Sequence, residues 1–322
     1  MIEKYYNGVI EQVAGGIGNV EHNSILVRYS NDFSIWDLES VNHYKDQTDI
    51  FFTCHEFSYN KIAEAYEPYL GLIRQMFHKY CSGTLEEFME ECDVYKLQRP
   101  VFESYFEKGF CERTEQILID EVEYEQERMH SSIVTMLQKL SEICPIVIVL
   151  NRFQLASKST MQLTNRLLQT KNKNIGIVLG VNDVQSIPEF AHEEWDAICE
   201  SMDDRNMVYH IGNAGRNMEP DVMDYYSDYE SDDGYRKLNN LVYFLDFDQA
   251  DHHLSKIERR IKFDNFTISE KKHYQLLLLQ IMVSVLQRDI AKALESCEDL
   301  EKLQDQEKEG AFYYNFWMAT SY

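Results

Sequence analysis

The chain predicts an α/β domain built on a parallel sheet with helices on both faces, followed by an all-α region of helical repeats. Three observations carry that prediction. The runs Pro145-Ile-Val-Ile-Val-Leu150 and Asn174-Ile-Gly-Ile-Val-Leu-Gly180 are continuous apolar, β-branched stretches of strand length, the mark of strands buried on both faces. Helical periodicities separate these runs from three further strand candidates, and such alternation favours a parallel sheet. Beyond residue 237 the strand signal stops and only helical patterns remain.

The elements follow in order. Ile2 to Ala14 places Tyr5, Tyr6, Val9, Ile10 and Val13 at helical spacing and ends in Gly15-Gly16-Ile17-Gly18. That cluster reads as a helix cap and turn, because a phosphate-binding loop follows a strand and opens a helix, whereas this one closes a helix. Ser24-Ile-Leu-Val-Arg-Tyr29 is the first strand, followed by Ser30-Asn31-Asp32-Phe33-Ser34 and a helical stretch from Ile35 to about Tyr44. Asp49 to His55 is the second strand. A helix from about Asn60 to Cys81 then carries Ile62, Tyr66, Tyr69, Leu70, Ile73, Phe77 and Tyr80 on one side. Thr84-Leu-Glu-Glu87 is a capping box for a shorter helix ending near Cys92. A long helical pattern from about Glu112 to Glu142 leads through Pro145 into the third strand, and Ser159-x-x-Gln162 is expected to cap the helix after it. Asn174 to Gly180, a helix over Pro188 to Ser201 and a short strand over Met207 to Ile211 complete the sheet.

From Glu219 to Tyr235 the composition changes to Asp, Glu, Ser and Tyr, too dense in like charge to share a compact surface cheaply, so residues 216–236 are expected to form a flexible acidic linker. It divides an α/β domain, 1–215, from a helical region, 237–322. In that region Phe247-Asp-Gln-Ala250 and Arg288-Asp-Ile-Ala291-Lys-Ala293-Leu294 both match the turn and second-helix start of a tetratricopeptide-like repeat, about 40 residues apart. Phe312 to Tyr322 reads as the first helix of another repeat, which makes the chain the expected front piece of a longer solenoid.

Composition narrows the function classes. Lys and Arg total 31 against 55 Asp and Glu, a net charge of −24, which repels nucleic-acid backbones and anionic lipid headgroups. Seven cysteines lie scattered without paired spacing, as expected of reduced thiols in a cytoplasmic protein. No apolar run is long enough for a membrane span.

The third strand ends in Asn151-Arg152-Phe153-Gln154-Leu155-Ala156-Ser157. This layout resembles the second nucleotide-binding motif of signal-transduction ATPases, a branch of the P-loop NTPases. There the strand ends in two acids, then an apolar residue, Gln or His, Trp, Ala and an acid. Gln154 and Ala156 match, while Asn151, Arg152 and Ser157 stand where the acids belong, and a site that holds magnesium through one carboxylate and polarises water with a second cannot do so with an amide and a guanidinium. The first motif is missing as well: the loop Ser30 to Ser34 has no glycine to wrap a phosphate, Asp32 repels one, and no Lys directly follows a Gly anywhere in the chain. Phe57-Ser58-Tyr59 to Tyr66-Glu67-Pro68-Tyr69 resembles the Pro-Tyr-containing stretch after the family's second strand, and Gly180-Val181-Asn182-Asp183 stands where the family has a Gly-Thr-Tyr-Arg-like turn.

The resemblance covers roughly residues 20 to 212. It implies a bacterial signalling scaffold: a pseudo-ATPase domain joined to helical repeats that bind a protein partner, with a covalent output domain outside this chain. Ser30, Asn31, Asp32, Ser34, Asn151, Arg152 and Asn182 are then vestigial nucleotide-site positions, with no catalytic residue, cofactor or metal expected. Two readings of them stand side by side. Arg152 pairs with an acid of the long helix and holds the former site closed, or the polar strand ends still take an uncharged or weakly held ligand. An unorthodox nucleotide-binding NTPase switch is the rival function, and it would need a carboxylate such as Glu56 or Asp183 near the strand ends. Other chemistry lacks its pattern: Cys54-His55-Glu56, His192-Glu193-Glu194 and His252-His253 give no metal-ligand spacing, no GxSxG is present, and nothing singles out a cysteine nucleophile.

Overall fold

The structure, a computed structural model, describes residues 2–19, 23–30, 34–45, 47–58, 61–111, 121–170, 172–183, 187, 189–203, 207–211, 229, 231–264 and 266–303. The chain divides into two compact units, Met1–Arg99 with His130–Asp224, and Pro100–Met129 with Tyr225–Tyr322.

The first unit holds five strands, β1 (Ser24–Tyr29), β2 (Phe51–Glu56), β3 (Ile146–Asn151), β4 (Ile175–Asn182) and β5 (Val208–Ile211). They form one sheet in the order β2-β3-β4-β1-β5, and every pairing is parallel. β3 and β4 are buried along their whole length, which is why their sequences carry no polar alternation. Its helices are α1 (Ile2–Gly15), α2 (Glu39–Lys45), α3 (Tyr69–Tyr80), α4 (Leu85–Glu91), the greater part of α6 (Val122–Ile143), α7 (Lys158–Thr170) and α8 (His192–Asp203); α5 (Arg99–Lys108) belongs almost wholly to the second unit.

Chain direction decides where a site could lie. The step from β1 to β2 runs one way across the sheet, whereas β2 to β3, β3 to β4 and β4 to β5 all run the other way. Right-handed crossovers therefore send α2 to one face and the later crossover helices to the opposite one. α1 and α2 share the first face, in one cluster with Ile25, Val27, Tyr29, Val147, Val149 and Val178. The connections diverge between β1 and β4, and open α/β sheets place their ligands at the strand ends beside such a reversal.

α1 approaches the sheet closely because β4 offers glycine at two positions on the face it covers. A Cβ on Gly176 would stand 2.7 Å from Val13, and one on Gly180 would run into the Tyr6 hydroxyl. Tyr6, Val9, Ile10 and Val13 are buried in this contact, and burying an apolar side chain contributes roughly 1.5–3 kcal/mol before entropy is counted. The glycine cluster after α1 ends the helix: Gly16 N donates to Gln12 O and Val13 O, and Gly18 takes φ +95 while its N–H donates to Lys173 O.

Several boundaries differ from the sequence reading. α3 begins at Tyr69, not near Asn60, and the described residues 61–68 form turns with Tyr66 at φ 56. Pro68 is the cause, since its ring excludes helical backbone at the preceding residue and it has no N–H to donate. The stretch after Ser34 is a short 3-10 turn, Ile35–Asp37, followed by α2. α7 is capped by Ser157 rather than Ser159: Thr160 N donates to Ser157 Oγ at 3.1 Å. β4 runs on past Gly180 to Asn182, so Val181 and Asn182 are strand rather than turn. The start of the long helical pattern, 112–120, lies outside the described residues, and α6 is seen from Val122.

The second unit contains α5, the start of α6, and α9 (Asp232–Tyr243), α10 (Phe247–Phe263), α11 (Glu270–Leu286) and α12 (Ile290–Leu303). α9 begins within the acidic stretch, capped by Ser231, whose Oγ accepts from Gly234 N; residues 216–228 and 230 lie outside the described set, as does 304–322. The α9–α10 and α11–α12 turns match bond for bond at an offset of 43 residues. Phe244 N to Asn240 O, Leu245 N to Val242 O, Asp246 N to Leu241 O and Ala250 N to Asp246 O in one turn repeat in the other. There they are Gln287 N to Val283 O, Arg288 N to Val285 O, Asp289 N to Ser284 O and Ala293 N to Asp289 O. Leu245 and Arg288 both take the left-handed backbone, at φ 68 and φ 63. Ala250, Leu254 and Ile257 correspond to Ala293, Cys297 and Leu300, all buried. Among the described residues, no helix is long and apolar enough to cross a membrane.

Candidate functional site

The ends of β1, β3 and β4 bring the two suspected motif positions together. Leu150 pairs with Leu179, which sets Asn151 beside Gly180, and Tyr29 pairs with Asn182, two residues further along β4. With no side chain on Gly180, Tyr29 reaches across β4 and donates its hydroxyl to Asn151 Oδ1 at 2.7 Å. Tyr6 descends from α1 into the same place, its ring edge-on to Tyr29 at 6.5 Å between centroids. Burial holds the Tyr6 phenol well above its ordinary range, and Tyr29, Glu56 and Cys54 push it the same way.

On its other side Asn151 Nδ2 donates to Glu56 Oε1 at 3.4 Å, and Arg152 pairs with the same oxygen at 3.6 Å. The arginine thus pairs with an acid at the end of β2. Arg152 holds φ 52 and ψ 41, a left-handed conformation uncommon for a side chain of its size, and this turns the guanidinium back toward Glu56 at the strand end. Asp183, the other carboxylate near these ends, is held by Arg28 at 2.8 Å. Both acids that could have served a metal are engaged by arginines, and among the described residues no group of three or more His, Cys, Asp or Glu could hold a metal ion.

Gln154 and Ser157 serve the fold. The Gln154 amide brackets the end of β4, with Nε2 donating to Asn182 O at 3.2 Å and Oε1 accepting from Asn182 N at 3.4 Å. Ser157, in the third acid position, caps α7 and donates to Thr160 Oγ1 at 2.7 Å; Thr160 Oγ1 donates onward to Glu67 O at 3.1 Å. A carboxylate there would accept from Thr160 and lack the hydroxyl proton. Asn151, Gln154, Ser157, Tyr6 and Tyr29 are each no more than 1% exposed.

Of the positions singled out in the sequence, Asn151 and Arg152 meet on Glu56, while Asn182 is held through its backbone by Gln154. Ser34 is placed apart as a cap, its Oγ accepting from Trp36 N at 3.3 Å. Ser30 follows β1, half-buried, and Asn31 and Asp32 lie outside the described residues. The sequence reading missed Tyr6 and Tyr29 as members of this cluster and named Glu56 only as the carboxylate that a nucleotide switch would need. The one available signal was a polar group ending an otherwise apolar strand; nothing local announces that Tyr6, on a helix far upstream of Asn151 in the chain, inserts there. Burial pushes the thiols of Cys54 and Cys199 up to about 11 and that of Cys92 to about 12, away from the thiolate form.

Comparison with known protein families, with curated proteins and with solved structures gives no match to this chain.

Proposed function

We propose that the chain is a non-catalytic regulatory scaffold, a cytoplasmic pseudo-ATPase signalling module joined to helical repeats that bind a protein partner. One observation carries the reading. The strand-end region where the resemblance puts a phosphate loop and magnesium-binding acids is occupied by the chain itself: Tyr29 is bonded to Asn151, and Asn151 and Arg152 to Glu56. A buried, hydrogen-bonded filling of this kind resists displacement, since opening it would leave polar groups unsatisfied.

The helical half supports a binding role through the 43-residue correspondence of its two hairpins, which is the signature of stacked helical repeats. The period exceeds the 34 residues of a tetratricopeptide unit, so we describe the repeat as tetratricopeptide-like in its turn and longer in its helices.

The alternative, an unorthodox nucleotide switch, draws on Glu56, whose carboxylate stands at the strand ends beside Asn151. ATP hydrolysis by the purified chain separates the two. The scaffold reading expects no turnover above buffer. Turnover abolished by Ser30→Ala with Ser34→Ala, or by Glu56→Gln, would establish the switch instead.

A further inference from the structure

Away from the strand ends, the first unit carries a cleft of about 620 Å³ between α3, the turn Ser82-Gly83-Thr84, α4 and the last residue of α6. Its wall is apolar. Phe77 and Phe88 lie 5.3 Å apart between ring centroids, Tyr80 continues the wall, and Ile143 stands 52% exposed at its edge. Its rim is acidic: Glu87, Glu90 and Glu91 line it, and α4 contains no basic residue. Glu87 is committed to the capping box, accepting from Thr84 N at 2.8 Å. Glu91 meets only the tip of Lys139, at 4.0 Å and in the open, and Glu90 has no ion-pair partner among the described residues.

The chain's own cations already gather at these edges, with Lys79 5.0 Å over the Tyr80 ring in addition to Lys139 beside Glu91. An apolar wall rimmed by carboxylates suits a segment with an aliphatic or aromatic anchor flanked by lysine or arginine, and the −24 field of the chain steers such a segment inward. We propose that this cleft docks a basic amphipathic segment of a partner protein, with its apolar side chain against Phe77, Phe88 and Ile143 and its cations against Glu90 and Glu91. The site is independent of the strand-end cluster and of the helical repeats, so its failure would leave the scaffold reading untouched.

The test uses the full chain and a fluorescent synthetic leucine–lysine amphipathic peptide, with a leucine–glutamate peptide of equal length as control. Two cleft variants at exposed positions, Ile143→Arg and Glu90→Lys, are compared with Glu298→Lys, an exposed reversal on α12. The proposal expects affinity for the leucine–lysine peptide to fall about tenfold in each cleft variant and to hold in Glu298→Lys. Saturating peptide should also slow alkylation of Cys81, which lines the cleft, relative to Cys54 and Cys199. Equal losses in all three variants, no loss in any, absence of binding, or unchanged Cys81 alkylation would each overturn it. So would equal binding of the leucine–glutamate peptide.

Discussion

Tyr29 and Asn151, on strands separated by β4, are joined by a hydrogen bond of 2.7 Å that passes over Gly180. It links the end of the strand expected to carry a phosphate loop to the end of the strand expected to carry the acids. Tyr29→Phe keeps the ring and removes the donor to a fully buried amide oxygen. It should cost about 1–2 kcal/mol in denaturant unfolding.

Asn151→Asp should be more damaging, by about 2–3 kcal/mol at neutral pH, because a buried carboxylate then faces Glu56. The new carboxyl would have a folded-state pKa above its unfolded value. The loss should therefore be small near pH 4 and grow as pH rises above it, as unfolding midpoints across that range would reveal.

Gly180→Ala places a methyl group against Tyr6 and 2.5 Å from Asn151 Oδ1. Neither neighbour can retreat from a packed core, so a loss of about 2–4 kcal/mol is expected. Gly8→Ala, on the exposed side of α1 where a Cβ meets nothing within 4 Å, should instead stabilise by about 0.5–1 kcal/mol. Thermal unfolding of the two variants checks the opposite signs.

β3 and β4 were legible because each is a β-branched run too short for a helix, and the Thr84 capping box and the glycine stop after α1 were legible because caps are local chemistry. The strand-end cluster was only half legible. Asn151 and Arg152 stood out as polar groups ending an apolar strand, but their neighbours there, Tyr6, Tyr29 and Glu56, come from three elements whose meeting depends on strand order. Residues 61–68 misled because their apolar spacing fits a helix, while the decisive constraint, Pro68, acts backwards along the chain. In the helical region the sequence suggested a spacing of about 40 residues, whereas the turn hydrogen bonds match at an offset of 43.

His253, on α10, is buried and shares a hydrogen bond of 3.0 Å with the Tyr229 hydroxyl. Burial, with His252 and Lys256 nearby, holds it well below the usual imidazole range. A depressed folded-state pKa means that its contribution is present above the unfolded value, about 6.5, and is lost as pH falls below it. His253→Gln should flatten the pH dependence of stability between about pH 6.5 and 5, by up to about 1.4 kcal/mol per pH unit.

Lys292 ties α12 to α10 through Asp251 at 2.6 Å and Ser255 at 2.7 Å. A double-mutant cycle of Lys292→Met and Asp251→Asn should yield a coupling of about 1 kcal/mol, reduced at high salt because the pair is about one-third exposed.

The central claim, a strand-end site closed by its own side chains, is tested most directly by thermal unfolding of the full chain with and without ATP, GTP and magnesium. A closed site predicts the same midpoint under every condition. An upward shift of several degrees with nucleotide and magnesium, lost in Glu56→Gln, would contradict it.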